Sequence, residues 1–237
     1  MKNFIFIIVL LCFSTFCFSQ VDSIKTKKYT KYLGVQANQL IRQILNFTNS
    51  TSSIDNPYLI SYAANSNKTG VGFTAGLGFQ VNQTTDGDPS NKRETKINNL
   101  SARIGVEKKS TLGKKWLVSW GFDITHDDFK NETTVTQVFD PNNPSSRSVS
   151  NTTNSTSSWG FGPRFTLNFL ISNRIVLGTE TNYYYRSGSI STANNTTSTF
   201  SNGQGGFTTQ TTKADSSNDF TKFQFSVPAV IYVMIKF

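Results

Sequence analysis

Strict alternation of apolar and polar side chains is the feature that most constrains how this chain can fold. From Val71 to Val81 every odd position is apolar, whereas the even positions carry only Gly, Thr and Gln. Successive side chains of a β-strand point to opposite faces, so this period of two predicts a strand with one apolar and one polar face. Its length of about eleven residues is what a tilted strand needs to cross a bilayer.

The same alternation recurs along the rest of the chain. We predict clean strands in four further segments: Leu100–Glu107, Trp116–Thr125, Trp159–Ile171 and Lys222–Phe237. Three less regular segments complete the set: Lys31–Asn46, Pro57–Ala64 and Ile175–Arg186. Together they give about eight strands, an even number that returns the chain to its starting side. A count of ten is the alternative, if a hairpin of one long connection enters the wall.

The connections between these strands alternate in length. Short ones lie at residues 65–68, 108–115 and 172–173, and long ones rich in Asn, Ser, Thr and Gly lie at 47–56, 84–95, 127–157 and 187–219. Short turns on one side and long loops on the other are typical of single-chain outer-membrane barrels. The last two connections contain β-forming stretches, so strands can extend into them as hairpins. Pro163 and Pro228 each remove a ladder hydrogen bond, and we expect a bulge or bend near both.

The first residues have the pattern of an export signal. Lys2 is followed by an apolar run from Phe4 to Phe18, and small residues precede Gln20, which predicts cleavage near Ser19/Gln20. The run of about fifteen residues is shorter than the ~20 that a spanning helix needs.

Three parts of the chain follow from this. We expect a signal peptide at 1–19, a short periplasmic segment at 20–30 and one barrel domain at 31–237. Cys12 and Cys17 both lie in the signal. The mature chain therefore has no cysteine, which excludes disulfide frameworks and cysteine metal sites.

Both ends of the predicted barrel carry a resemblance to known proteins. The signal peptide, the alternating strands and the ending Val233-Met234-Ile235-Lys236-Phe237 resemble small outer-membrane barrels of the OmpA-transmembrane-domain type. The opening Tyr32-Leu33-Gly34-Val35-Gln36-Ala37-Asn38 and the Asn/Thr-rich loops are similar to barrel proteins common in Bacteroidota. The resemblance implies an all-β, antiparallel up-and-down transmembrane β-barrel in the cell outer membrane. It also implies that the assembly machinery reads Phe237 as a C-terminal signal.

The polar face of the strands carries charges that a narrow barrel must accommodate. Counting upward from the short turns places four inward residues of alternating sign at similar heights: Arg103, Asp123, Arg164 and Glu180. Charges inside a lumen are costly unless they are paired, so we predict an interior ion-pair ladder. An eight-stranded barrel is just wide enough for side chains to fill it. The ladder is therefore expected to plug the lumen, with a narrow or gated pore lined by these groups as the alternative.

The opposite face carries the residues that would meet lipid. The predicted lipid-facing aromatics are Trp116, Trp120, Trp159 and Phe165. Outer-membrane lipids and the assembly machinery are the expected partners. Nucleic acid is not, because the basic residues behind the net charge of +9 are dispersed along an exported chain.

Motifs for catalysis or cofactor binding are weak. His126 is the single histidine, and it precedes Asp127 and Asp128, but a nucleophile, base and orienting group in mutual contact are not evident. Asp86-Gly87-Asp88 matches an Asp-Gly turn better than a calcium site, which needs about six oxygen ligands. No cofactor and no metal are expected.

The expected function is therefore that of an integral outer-membrane protein rather than an enzyme. We expect a structural or surface-interaction role through the extracellular loops, toward a ligand or partner that the sequence leaves open. The alternative is a narrow, porin-like passive pore for small solutes or ions. A barrel-embedded hydrolase is a distant third.

Overall fold

The computed structural model describes residues 28–37, 58–139, 145–202, 204, 206–226 and 231–237. They form nine strands: β1 (Tyr29–Gln36), β2 (Ile60–Ser66), β3 (Val71–Asp88), β4 (Asn91–Leu112), β5 (Trp116–Val138), β6 (Arg147–Leu170), β7 (Ile175–Ser201), β8 (Phe207–Ser226) and β9 (Ile231–Lys236). Within these residues no helix is long and apolar enough to span a membrane. The predicted signal peptide and its cleavage site lie outside the described residues.

The strands close into an antiparallel ring. Each strand from β1 to β7 pairs with the next, and β9 pairs with both β7 and β1. The backbones of Lys31 and Phe237 exchange two hydrogen bonds of 3.0 Å where the first and last strands meet. Since β8 and β9 pair with successive parts of β7, they act as one strand. The ring therefore has eight strands, and the prediction of an all-β barrel of about eight strands is confirmed.

The C-terminal strand changes register between its two parts. Ser226 pairs with Asn182, and Ile231 pairs with Thr179, so five steps along one strand match three along the other. The pairings of β8 and β9 with β7 therefore differ in register by two residues. Pro228, where we predicted a bulge or bend, itself lies outside the described residues.

Pro163 interrupts a ladder without adding a residue. On the β7 side the pairs Phe161–Tyr185 and Arg164–Asn182 flank a two-residue gap, whereas on the β5 side Pro163 still faces Phe122. The missing N–H accounts for the gap. The ladder is broken there, but the register continues unchanged.

One end of the barrel has short turns and the other has long strand extensions. At the short-turn end, brief connections follow Ser66, Leu112 and Leu170. At the tall end β3 to β8 continue as one hydrogen-bonded sheet, up to the pairs Asp88–Asn91, Val138–Arg147 and Ser201–Phe207.

The sheet corrects one predicted long loop and contains the hairpin extensions that were expected in two others. Residues 84–95 are a paired hairpin rather than a loop, and most of residues 127–157 and 187–219 continue the strands. Alternation disappears there because both faces are polar, although the backbone ladder persists. At the β3–β4 turn the Asp88 carboxylate accepts backbone N–H bonds of 2.8 Å from Ser90 and Asn91, as an Asp-containing turn requires.

The barrel is polar inside and apolar outside. Buried residues include Gln36, Arg103, Asp123 and Arg164, each at most 5% exposed, whereas most large apolar side chains are exposed. An apolar core is small and lies near the short-turn end, around Tyr32, Leu117 and Val176. A soluble protein has the opposite distribution.

Candidate functional site

The four charges predicted inside the barrel lie together in its interior. Arg103, Asp123, Arg164 and Glu180 come from β4, β5, β6 and β7, and each is 5% exposed or less. In the strand register, Arg103 pairs with Thr125, Asp123 with Gly162 and Arg164 with Asn182. Each charged residue therefore lies two positions along its strand from the residue that pairs with the preceding charge. Such diagonal neighbours on adjacent strands are within reach of long side chains. Because the strands of a barrel are tilted, this stagger still brings the charges together in the lumen, where Arg103 of β4 contacts Glu180 of β7.

Arg103 makes the most direct contact of the group. Its Nη1 and Nη2 donate to the two carboxylate oxygens of Glu180, at 2.7 and 3.1 Å. The guanidinium also lies over the ring of Tyr58, 4.4 Å from its centre. A bidentate pair of this kind fixes both side chains and spans the lumen from β4 to β7.

Arg164 links the remaining acids. Its Nε donates to Asp123 at 2.8 Å, and its Nη2 donates to Glu107 at 3.2 Å and to Thr74 at 3.0 Å. Arg103 Nε lies 3.8 Å from the same oxygen of Asp123, which couples the two arginines through one carboxylate.

Five further residues complete this network and were not singled out from the sequence. Glu107 binds Lys109, which lies over the ring of Tyr32, while the Tyr184 hydroxyl donates to Asp123 and the Tyr232 hydroxyl to Glu180. The fifth is Asn65, whose amide donates to Glu107 at 3.0 Å.

The alternation pattern contained part of this information. Glu107 occupies an inward position at the end of a predicted strand, so its parity alone places it in the lumen. Lys109 fell in a segment that we assigned to a turn, and β4 extends through it to Leu112. Tyr184 lies on a less regular segment, where parity was ambiguous, whereas Tyr232 lies at an even position of the clean segment Lys222–Phe237, so parity alone places it in the lumen.

Among the described residues, the ion network is balanced in charge and leaves little space beside it. Three cations (Arg103, Lys109 and Arg164) face three anions (Glu107, Asp123 and Glu180). Beside them lies a cavity of about 40 Å³, lined among others by Glu107, Arg164 and Tyr232. That is close to the ~30 Å³ that one water molecule occupies in the liquid.

The predicted lipid-facing aromatics point outward. Trp120 and Trp159 are each 62% exposed, and Trp116 and Phe165 are also exposed. Trp116 packs against Phe169 on the neighbouring strand. Phe237 is exposed beside the seam between the first and last strands.

His126 lies on the outer face and not in the lumen. Its Nε2 is 3.0 Å from Asp128, and its ring packs 4.4 Å from that of Trp159. A hydrogen bond from Ser157 and a second from His126 lower the pKa of the Asp128 carboxyl. The hydroxyl thus bonds the carboxylate, whereas activation of a nucleophile needs a bond between hydroxyl and imidazole. Among the described residues, no group of three or more His, Cys, Asp or Glu could hold a metal ion.

Comparison with known proteins returns distant structures alone. No family model matches the chain, and no curated protein is similar to it. The CarO protein of Acinetobacter baumannii is similar over 88% of this chain and 96% of its own, at 11% identity and a TM-score of 0.35. A major outer-membrane protein of Thermus thermophilus is similar over 88% of this chain and 98% of its own, at 11% identity and a TM-score of 0.42. At these scores neither likeness bears on the function of this chain.

Proposed function

We propose that this chain is an integral outer-membrane barrel with a closed lumen, which anchors a tall polar β-sheet at the cell surface for interaction with external partners. The membrane location is supported by the apolar outer face. Its alternating stretch on β3 covers about eleven residues, and at ~3.3 Å each with a ~40° tilt these span roughly 28 Å. A contiguous apolar surface of this extent is rare on soluble monomers.

The interior ion network is the observation that supports a closed lumen and so the functional proposal. The interior ion network spans the barrel from β4 to β7, and the cavity beside it is about 40 Å³. Among the described residues, this packing supports an interior that excludes solutes larger than water while the pairs are intact. A structural and interacting role is therefore favoured over passive transport.

The tall sheet is the surface that such an anchor would present. From Asp127 to Val138, β5 runs on the order of 40 Å along its own direction. In this tall sheet, hydroxyl and amide side chains form hydrogen bonds across neighbouring strands. Ser150–Thr196 and Thr192–Asn154 are two such bonds between β6 and β7. A rigid polar wall of this kind suits recognition outside the membrane.

Planar-bilayer conductance tests the closed lumen. The mature chain is refolded in detergent, checked by a heat-dependent gel shift, and inserted into bilayers beside a known porin as a control for incorporation. We expect no discrete current steps from folded protein. Reproducible steps would overturn the proposal and make a narrow pore, lined by Arg103, Asp123, Arg164 and Glu180, the better description.

Cysteine labelling tests the orientation, because the predicted mature chain contains no cysteine. Ser191→Cys lies on the exposed tall end, and Lys114→Cys lies at a short turn. A membrane-impermeant maleimide should label the first variant in intact cells and the second after the outer membrane is opened. Labelling of Lys114→Cys alone in intact cells would reverse the orientation and contradict a surface role for the sheet.

A further inference from the structure

A second concavity lies in the barrel mouth above the ion network, at the base of the tall sheet. This vestibule has a volume of about 240 Å³ and is lined from four neighbouring strands, β4, β5, β6 and β8, and by Arg186 of β7. Its volume is close to the lower end of small-molecule pockets, ~300 Å³. Since the lumen beneath is filled, a ligand that enters here would be held and not passed on.

The floor of the vestibule contains an arginine whose hydrogen-bonding capacity is partly unused. Arg186 is 7% exposed and pairs through Nη1 with Asp127. Its Nε has no partner among the described residues, and neither has the hydroxyl of Ser101, which is 1% exposed and lines the same space. Buried donors are satisfied in folded proteins almost without exception, so these groups point to a polar occupant.

The walls add a second cation and two aromatic rings. Lys222 lines the vestibule from β8, with its ammonium 5.4 Å from the centre of the Phe220 ring, and Phe129 lines it from β5. Arg186 and Lys222 outnumber Asp127, so the lining carries one net positive charge. The remaining lining groups are hydroxyls and amides, including Asn99, Thr156 and Gln224.

We propose that the vestibule binds a pyranose that carries a carboxylate. Lys222 and the free Nε of Arg186 would meet the carboxylate, since charge-assisted hydrogen bonds are the strongest polar contacts available. The hydroxyls and amides suit the ring hydroxyls, and Phe129 and Phe220 offer apolar faces for the ring carbons. A simple carboxylate would leave the neutral groups unused, and a neutral sugar would leave the cations unused. The inference rests on the closed lumen and outward orientation of the proposed function.

Calorimetry on the refolded chain tests this proposal. Galacturonate is the probe, with galactose and acetate as the neutral ring and the bare carboxylate. We expect galacturonate to bind at least tenfold more tightly than either, which is the worth of one charge-assisted hydrogen bond at about 1.5 kcal/mol. Equal affinity for galacturonate and acetate, or for galacturonate and galactose, would overturn it.

Two lysines on one strand provide a matched pair of variants. Lys222→Gln changes the vestibule, whereas Lys213→Gln lies on the opposite face of β8 and should leave binding unchanged. We expect about a tenfold loss of galacturonate affinity for the first variant alone. An equal effect of both, or of neither, would contradict the site. Asn99→Trp, which fills the vestibule, should abolish binding while the heat-dependent gel shift is kept.

Further measurements distinguish the two possible sources of the sugar. They also show which of the two proposals fails if one of them does. Trigalacturonate binding more tightly than the monomer would identify the end of an acidic polysaccharide, and equal binding would identify the free sugar. Galacturonate binding by a barrel that conducts would overturn the closed lumen and keep the vestibule site. A silent barrel with no preference for galacturonate would overturn the vestibule site and keep the surface anchor.

Discussion

Arg164 shows how a full charge is held inside a narrow barrel. The residue is 5% exposed, and its guanidinium bonds two carboxylates and one hydroxyl from three other strands. Desolvation of such an ion costs several kcal/mol, and the cost is offset only while partners are in place. Removal of one member leaves its partners buried with fewer compensating contacts.

This imbalance predicts a large effect of Arg164→Ala on the free energy of unfolding. We expect a loss of about 3–5 kcal/mol, because Asp123 and Glu107 would remain buried without that cation. Urea unfolding in lipid vesicles measures it. Arg147→Ala is the matched control, since Arg147 is exposed on the same strand, and it should change stability by less than ~0.5 kcal/mol. Equal effects of the two substitutions would contradict the interior network as a source of stability.

Trp120 tests whether the outer face meets lipid. It is 62% exposed at the middle of the apolar part of β5, where a soluble sheet would tolerate a polar substitution. In a bilayer, Trp120→Arg should lower the free energy of unfolding by about 2–4 kcal/mol. Thr136→Arg, on the same face of the same strand above the apolar part, should change it by less than ~0.5 kcal/mol. The comparison uses unfolding in vesicles, and a similar small effect at both positions would exclude a membrane around Trp120.

At the scale of strands, alternation in the sequence predicted those parts of the strands that have one apolar face. The stretches around Val71–Val81 and Trp116–Thr125 lie inside observed strands, because one apolar and one polar face impose a period of two. Beyond the apolar belt both faces are polar, and β6 above Ser158 shows no alternation although its ladder runs on to Arg147. Strand length outside the membrane is therefore set by backbone pairing, which composition does not record.

For the interior, the sequence predicted which side chains point inward but not which of them are in contact. Parity placed Arg103, Asp123, Arg164 and Glu180 inward, and that required only correct strand phase. Which carboxylate each arginine bonds depends on the register between strands, and Arg103 bonds Glu180 from across the barrel. Register follows from turn lengths and from hydrogen-bond pairing, so single-sequence reasoning did not reach it.

The β5–β6 extension can be shortened without a change of register. Asn131 faces Asn154, so replacing residues 132–153 by Asn-Gly rejoins paired positions through a short hairpin turn. We expect the heat-dependent gel shift and the silent bilayer trace to be kept, because the interior network lies below the cut. Binding of proteoliposomes to intact bacterial cells should fall severalfold if the sheet is the interacting surface. Unchanged binding would place the interacting surface elsewhere.

At the scale of the whole molecule, stability comes from closure. The described residues have polar groups inside and apolar groups outside, so in the proposed membrane location a bilayer replaces the hydrophobic core of a soluble domain. Closure of the ring satisfies the backbone groups that an open edge would leave in lipid. The stability of the fold therefore depends on the pairing between the first strand and the last strand, which closes the ring.

Phe237 lies at that seam, and its side chain and backbone have separable roles. The two hydrogen bonds to Lys31 use only backbone atoms, and the ring itself is 43% exposed on the outer face. Phe237→Ala should therefore change the unfolding free energy of refolded protein by no more than about 1–2 kcal/mol. If the assembly machinery reads the terminal aromatic ring, the same variant should lose most of its folded fraction in cells, as measured by the gel shift of isolated outer membranes. Phe225→Ala removes an equally outward ring 59% exposed on the same strand, so it separates recognition from loss of lipid contact. A similar fall in cells for both variants would make Phe237 an ordinary lipid-facing residue and not an assembly signal.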